Sequence, residues 1–276
     1  MPSARWKTTY RAVDSPHFII AIKPLPFDMK KIVSLIVFSI SVLSAFAATK
    51  AEADALYGKE QYREAAVAYE AVLKQEGEAA EVYYNLGNCY YKLDEIPRAV
   101  LNYERAILLD PGDGDIRANL ALARGKTIDK VVPPSEMFFV TWWRDLTNCM
   151  SIKAWTTLGI AAFVLMLVGV LIYMFVRPLA IRKIGVYGAM VLLAVVVIAN
   201  LAAISQHLDQ THRNTAIILV PAITVKSSPS EKSTDLFLIH EGSKVEILDG
   251  SMPEWKEVKF EEGKQGWIPV NALEII

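Results

Sequence analysis

Hydrophobic residues cluster in three stretches of the chain, 32–47, 155–176 and 184–204, which contain no Asp, Glu, Lys or Arg. The second and third stretches have 22 and 21 residues. As helices they would measure about 33 and 31 Å, against a hydrocarbon core of about 30 Å. The pattern therefore predicts two transmembrane helices, over 155–176 and 184–204, which the loop 177–183 joins into a hairpin.

The first hydrophobic stretch has the features of an export signal. Two lysines precede it, and small residues close it before Ala48. A positive start, an apolar run and small residues in this order predict a signal peptide over 29–47. An uncleaved membrane anchor is the alternative. Residues 1–28 fit neither interpretation, and we expect them to be a non-native or wrongly assigned extension ahead of a start at Met29.

The loop 177–183 indicates how the hairpin is oriented. It contains three basic residues and no acidic one. Because short loops rich in Lys and Arg stay in the cytoplasm, the segments on both sides of the hairpin are predicted to lie outside. An export signal would send the N-terminal segment to the same side. We expect a bacterial inner-membrane protein with periplasmic N-terminal and C-terminal domains.

A helical repeat follows the export signal. A shift of 34 residues aligns Ala65 with Ala99 and Tyr69 with Tyr103. This period is the length of a two-helix solenoid unit, and it predicts an all-α repeat domain over 48–130. The second unit resembles the tetratricopeptide repeat at these positions: Tyr83, Leu86, Gly87, Tyr90, Ala99, Tyr103, Ala106 and Pro111. The first unit is a weaker match, and a third helix is expected to cap the solenoid.

Repeats of this kind bind proteins or peptides along the face built by the first helix of each unit. Polar and aromatic residues on that face suit recognition, although an ordinary solvated helix face is the alternative. The candidate protein-binding residues in the second unit are Tyr84, Asn85, Asn88, Tyr91 and Lys92. Acidic residues occupy two positions where a carboxylate-binding repeat needs basic or amide side chains, so we do not predict capture of a C-terminal carboxylate.

The segment 131–154 leads from the repeat to the membrane. It begins with two prolines and continues with Phe138, Phe139, Trp142 and Trp143 near a helical period, beside basic residues. Aromatic and basic side chains at a membrane edge favour the interface. We predict an interfacial helix, with a plain spacer as the alternative.

After a linker over 205–214, the pattern changes to short β-prone runs separated by Gly, Pro and Ser. Five or six strands within the segment 215–276 predict a small closed barrel, because closure removes exposed edges. Trp255-Lys-Glu-Val258 and Gly266-Trp267-Ile268-Pro269 resemble the end of a bacterial SH3 domain.

The SH3 resemblance implies a ligand-binding role for Trp255, which matches the binding tryptophan of that family. Ala272, however, stands where a proline-reading groove has a tyrosine. A cell-wall peptide or another protein is therefore favoured over polyproline. The alternative is that Trp255 or Trp267 closes the barrel core.

Composition and motifs argue against other classes of function. Net charge is −1, and both soluble parts are mildly acidic, which disfavours nucleic acid as a partner. We find no metal-ligand spacing, phosphate-binding glycine loop or serine elbow, so neither an enzyme nor a cofactor is predicted. Cys89, at a small-residue repeat position, is expected to be a buried free thiol rather than a disulfide partner of Cys149. Asn200, inside the second span, is a candidate for a hydrogen bond to the first span or to a partner helix.

The order of these modules from Met29 to Ile276 resembles the BatE family of the aerotolerance (Bat) operon. That resemblance implies a non-catalytic inner-membrane component that works with von Willebrand A-domain Bat proteins and a MoxR-type ATPase in envelope stress or oxygen tolerance. Two hypotheses follow for this chain. It is either a scaffold that presents two protein-binding modules, or a cell-wall sensor whose SH3-like tail binds peptidoglycan.

Overall fold

The computed structural model describes residues 50–129, 137–260 and 263–276. The predicted N-terminal extension over 1–28 and the signal peptide over 29–47 lie outside the described residues.

The N-terminal part of the described chain is a stack of antiparallel helices. Both predicted repeat units are present, and each makes its internal turn at a residue with positive φ, 60° at Glu60 and 59° at Asp94. These two residues are one repeat period apart, so the backbone repeats as the sequence does. The helices are α1 (50–58), α2 (Tyr62–Glu76), α3 (Ala80–Lys92), α4 (Ile96–Leu109) and α5 (Gly114–Lys126).

Small residues let the helices of the second unit approach closely. A Cβ atom at Gly87 would lie only 2.7 Å from the ring of Tyr103, which is itself fully buried. Ala65, Ala99 and Tyr69 are buried in the same core. The third helix, α5, is capped by Asp113, whose side chain accepts hydrogen bonds from the N–H groups of Asp115 and Ile116.

Three helices follow the repeat: α6 (Phe138–Thr147), α7 (Ile152–Phe175) and α8 (Leu179–Thr211). The last two are long and apolar enough to cross a membrane. They meet closely at Gly169 and Gly185, where a Cβ on either residue would lie within 2.9 Å of the other's carbonyl oxygen. Small residues of this kind allow membrane helices to pack backbone against backbone.

Helix α8 is longer than the predicted span over 184–204. It begins directly after Pro178, so most of the predicted loop 177–183 is helical, and it includes most of the predicted linker 205–214. The C-terminal extension is held by Gln206, whose amide donates to the carbonyl oxygens of Thr147, the last residue of α6, and of Met150, in the connection between α6 and α7. Asn200 bonds within its own helix, to Val196 O at 2.8 Å, and not to the first span.

The C-terminal part is a seven-stranded antiparallel sheet in the order β3-β2-β6-β5-β4-β1-β7. A core of apolar side chains lies on one face, including Val225, Ile239, Val245, Val258 and Ile268. The closed barrel predicted from the sequence is not shown, because the described parts of β3 and β7 lie at opposite ends of the sheet without a ladder between them. The strands are β1 (Thr215–Ile218), β2 (Ala222–Lys226), β3 (Asp235–His240), β4 (Lys244–Asp249), β5 (Trp255–Lys259), β6 (Gln265–Pro269) and β7 (Leu273–Ile275).

Strand β1 belongs to two cores at once. Ala216 and Ile218 face the core of the sheet, whereas Ile217 packs into the core of the helical repeat together with Ile276. A strand buried on both faces is expected to be apolar, as this one is from Ala216 to Ile218. The repeat and the sheet are therefore parts of one compact unit.

Candidate protein-binding site

A cleft of about 260 Å³ lies on the repeat, along α3. Its walls come from four helices, and the side chains are mostly aromatic or amide-bearing. Four of the predicted binding residues line it: Tyr84, Asn88, Tyr91 and Lys92. The remaining lining residues are Tyr57, Tyr103, Asn119 and Leu122.

The periodicity of α3 explains why these residues share a face. Tyr84, Asn88 and Tyr91 are spaced by four and three positions, which places them in one row along a helix. The opposite side of α3, with Tyr83 and Leu86, is buried. One helix therefore contributes to the cleft and to the core.

Hydrogen bonds fix the floor of the cleft. The Oδ1 atom of Asn88 accepts from Tyr103 Oη at 2.7 Å and from Asn119 Nδ2 at 2.9 Å. Asn119 Nδ2 also donates to Tyr84 Oη at 3.0 Å. Burial raises the pKa of Tyr103, so its hydroxyl stays protonated and acts as a donor. These bonds join α3, α4 and α5 at the floor of the cleft.

The rim of the cleft is positively charged. Lys92 lines it, and the ammonium of Lys126 lies 4.4 Å from the centre of the Tyr91 ring. A hydrogen bond to Asp94 raises the pKa of Lys126. An aromatic floor with a basic rim suits a partner segment that carries apolar and acidic side chains.

Asn85 does not line this cleft. Its Nδ2 atom lies 3.5 Å from Asp54 Oδ1, which also accepts from Tyr69 Oη at 2.5 Å. Lys50 donates to Asp54 and, at 2.8 Å, to Glu81. Asn85 and Lys50, which could have contacted the carboxylate of a bound partner, thus contact carboxylates of the protein itself.

Three cleft residues that the helical spacing of α3 did not predict lie one repeat period from residues of α3. Tyr57 is one period before Tyr91, and Asn119 is one period after Asn85. Leu122 occupies the position one period after Asn88. Extending the period from α3 to its neighbouring helices would therefore have identified them.

Trp255 lies elsewhere, on β5 of the sheet. It is directly opposite Pro269 on β6, and Trp267 is opposite Glu257. Because paired residues and alternate residues share a face, both tryptophans lie on the side of the sheet that faces away from Val258 and Ile268. The described core cluster of the sheet contains neither of them, so the alternative that one closes the core is wrong.

The described residues contain no group of three or more His, Cys, Asp or Glu that could hold a metal ion. Both cysteines are free thiols, Cys89 buried and Cys149 exposed. Burial raises the pKa of Cys89 to about 12, so the thiolate form is disfavoured there.

Comparison with known protein families identifies a tetratricopeptide repeat over residues 80–113. The match covers α3 and α4, the unit that supplies most of the cleft. No curated protein matches the chain. Tetratricopeptide repeats mediate protein–protein interactions, and the chain therefore carries a module of that class.

Proposed function

We propose that this protein is a membrane-anchored scaffold without catalytic activity, whose repeat binds a segment of a partner protein in the cleft along α3. The cleft itself carries the proposal, because a hydrogen-bonded aromatic floor built mostly by a matched tetratricopeptide unit is suited to recognition. The two apolar helices supply the anchor.

The soluble parts are proposed to lie in the periplasm of a bacterium, after export by the segment 29–47, with the loop 177–183 in the cytoplasm. The basic loop supports this orientation. Contact between repeat and sheet supports their placement on one side of the membrane, whichever side that is, because two segments that touch cannot be separated by the bilayer. One such contact is the hydrogen bond of 2.9 Å from Lys244 Nζ to Glu104 Oε2.

The proposed partners are von Willebrand A-domain Bat proteins, in a complex that includes a MoxR-type ATPase and acts in envelope stress or aerotolerance. This part of the proposal rests on the resemblance in module order. The basic rim at Lys92 and Lys126 predicts that the bound segment is acidic.

The experiment is site-specific photocrosslinking with the full chain in its own membrane. A photoreactive residue at Tyr91, in the cleft, is compared with one at Val67, which is exposed on α2 outside the cleft. We expect Tyr91 to crosslink to membrane or periplasmic proteins that Val67 does not reach, and Tyr84→Ala to weaken those crosslinks. Identical crosslinks from both positions would contradict the proposal. The full chain is needed because Ile217 and Ile276 complete the repeat core.

A second candidate function is a cell-wall sensor that binds peptidoglycan through the sheet. The position of Trp255, Pro269 and Trp267 together on an outer face favours it, since aromatic and proline side chains outside a core suit ligand contact. Sedimentation of the full chain with purified cell wall tests this function. Trp255→Ala should reduce binding while Tyr84→Ala does not, and absence of wild-type binding would eliminate the sensor hypothesis.

A further inference from the structure

Helix α6 carries a patch of exposed apolar side chains. Phe138 is 84% exposed and Trp142 is 64% exposed, and Phe139 and Val140 are exposed beside them. The rings of Phe138 and Phe139 pack edge to face, with their centres 5.8 Å apart. Contiguous exposed apolar side chains mark surfaces that bind a protein or a membrane.

The apolar and polar side chains of α6 lie on different sides of the helix. Phe138, Phe139 and Trp142 fall within an arc of about 100°. The same side continues into Trp143 and Leu146, which are half-buried. Exposed polar side chains occupy the remaining side: Thr141, Arg144 and Asp145. This division is typical of a helix that lies at the boundary between water and an apolar phase.

Hydrogen bonds fix the C-terminal end of α6 to the ends of α7 and α8. The carbonyl oxygen of Thr147 accepts from Trp155 Nε1 at 2.8 Å and from the amide of Gln206. Trp155 is the first residue of the charge-free stretch 155–176, and Gln206 lies two residues after the charge-free stretch 184–204, about 3 Å along the helix axis. The end of α6 is therefore level with the point where both charge-free stretches stop. Where these stretches cross a bilayer, that level is the surface of its hydrocarbon core.

The length of α6 keeps the patch near this level. Trp142 is five residues from Thr147, which corresponds to about 8 Å along the helix. The headgroup region on each side of the hydrocarbon core is about 5–8 Å thick. Trp142 therefore lies at or directly above the lipid headgroups even if α6 points straight out of the bilayer, and among them if α6 is inclined.

The chemistry of α6 also favours lipid over a charged protein segment. Its ionisable side chains are one arginine and one aspartate, so the helix has no net charge. Such a surface offers no electrostatic complement to an acidic or a basic segment. Tryptophan and other aromatic side chains suit the headgroup boundary, where an apolar ring meets a hydrated layer.

We propose that α6 lies along the surface of the bilayer, with Phe138, Phe139 and Trp142 inserted at the boundary between headgroups and acyl chains. Apolar contact holds the helix there, and headgroup charge does not. The inference rests on the membrane anchor of the proposed function, because it takes α7 and α8 as spanning helices. It does not depend on the cleft along α3.

The contact of α6 with the bilayer would also position the repeat. A Cβ at Gly112, in the turn between α4 and α5, would lie 2.9 Å from the carbonyl oxygen of Cys149, two residues after α6. Gln210, near the end of α8, donates to Leu108 O at 2.9 Å. The repeat thus packs directly beside the elements that meet the membrane surface, and it is held there without a free tether.

The test measures the depth of a fluorophore on the full chain, with one copy in each phosphatidylcholine nanodisc. Cys149→Ser removes the exposed native cysteine, and Cys89 is buried, so one introduced cysteine carries the label. After Phe138→Cys, a nitroxide near the headgroup end of the acyl chains should quench the label strongly and aqueous iodide weakly. After Thr141→Cys, on the polar side, iodide should quench strongly and the nitroxide weakly.

A label in the middle of α7 separates failure of this inference from failure of the anchor. Leu165 is exposed, and after Leu165→Cys a nitroxide near the end of the acyl chains should quench most. If no lipid nitroxide quenches there, the anchor is wrong and this inference fails with it. With the Leu165 label quenched, equal iodide quenching at Phe138 and Thr141 would place α6 in water and overturn the inference. Protection of the Phe138 label from both quenchers would also overturn it, because protein would then cover the patch.

Two neighbouring substitutions show what holds α6 at the surface. Trp142→Glu should raise iodide quenching of the Phe138 label and lower its nitroxide quenching, because a carboxylate resists transfer into an apolar phase. Thr141→Glu, on the polar side, should change neither. Both side chains are exposed, so neither substitution disturbs the core. The inference is contradicted if the two variants behave alike, or if nitroxide quenching of the Phe138 label requires anionic lipid.

Discussion

At the scale of single residues, Glu104 is a buried carboxylate, and its side chain is only 3% exposed. It accepts hydrogen bonds from Arg124 on α5 and from Lys244 on β4. Burial alone would raise the pKa of Glu104, but the two cations outweigh burial and hold the pKa below its usual value. One carboxylate on α4 therefore links the end of the repeat to the sheet.

Loss of a cation from this buried cluster should lower the free energy of unfolding more than loss of the carboxylate's charge. Lys244→Met removes one of the two cations bound to the buried carboxylate, and we expect it to lower the free energy of unfolding by about 2–3 kcal/mol. Glu104→Gln leaves Lys244 and Arg124, which are 33% and 44% exposed and can be hydrated, so its cost should be about 1–2 kcal/mol.

Denaturant titration of the protein in detergent micelles, followed by tryptophan fluorescence, measures both variants. Lys259→Met is the matched control, because Lys259 pairs with Glu246 at the surface and should cost less than about 1 kcal/mol. A larger loss for Glu104→Gln than for Lys244→Met would contradict this account of the buried charge.

Gly87 gives a second prediction at the residue scale. A Cβ at this position would overlap the ring of Tyr103, whose hydroxyl is bonded to Asn88 and whose ring is enclosed. Gly87→Ala should therefore lower the free energy of unfolding by about 1–3 kcal/mol. Gly58→Ala, where a Cβ has no neighbour within 4 Å, should be neutral or slightly stabilising in the same titration. Equal effects of the two variants would show that close packing at Gly87 is not required.

Helical spacing within α3 determined which residues of the cleft could be predicted from the sequence. Tyr84, Asn88 and Tyr91 follow from helical spacing alone. Asn85 does not line the cleft, and its amide lies 3.5 Å from Asp54 Oδ1 of the preceding unit. That contact joins two helices, and a pattern within one helix cannot indicate it.

At the scale of elements, the hairpin depends on the glycines where its helices cross. Gly185→Ala would place a methyl group 2.8 Å from Gly169 O, and the helices would have to separate. We expect a loss of about 1–3 kcal/mol in the free energy of unfolding. Gly188→Ala, on the same helix, meets nothing within 4 Å and should have little effect. Thermal unfolding in nanodiscs compares the two, and a Gly188→Ala loss as large as that of Gly185→Ala would argue against this crossing.

Local patterns predicted the elements better than their ends and contacts. Apolar runs and alternation predicted both long apolar helices and six of the strands. The C-terminal end of α8 did not, because Gln206 beyond the predicted span is held by hydrogen bonds to the carbonyl oxygens of Thr147 and Met150. The double burial of β1 was also missed, although its unbroken apolar run, Ala216 to Val220, is typical of a strand covered on both faces.

At the scale of the whole molecule, the repeat and the sheet are joined by polar contacts between residues distant in sequence. Asp129 accepts from His240 N and from Ser243 Oγ, both at 2.8 Å. Glu78 accepts two hydrogen bonds from Arg213, in the short segment between α8 and β1. No local sequence pattern indicates such pairs, which is why the sequence predicted two separate modules. Because Arg213 lies two residues after the end of α8, a shift of that helix would act on both parts at once.

These contacts predict how the docking of sheet to repeat depends on pH. The hydrogen bonds from Arg213 hold the pKa of Glu78 below its ordinary value. For Asp129, burial would raise the pKa, but the hydrogen bonds from His240 and Ser243 lower it overall. Together with Glu104, these carboxyls bind fewer protons when docked than when separated, so docking is complete above an ordinary carboxyl pKa of about 4 and is lost as pH falls below it.

Energy transfer between fluorophores at exposed Val67 and Leu238 of the nanodisc-bound protein reports this opening. We expect constant efficiency from about pH 8 to about pH 5 and a decrease below about pH 4. Arg213→Met should move the decrease to higher pH, because it removes the group that lowers the pKa of Glu78. Far-ultraviolet circular dichroism distinguishes opening from loss of helix. Separation that begins between about pH 5 and about pH 8 would mean that groups other than these carboxyls control docking.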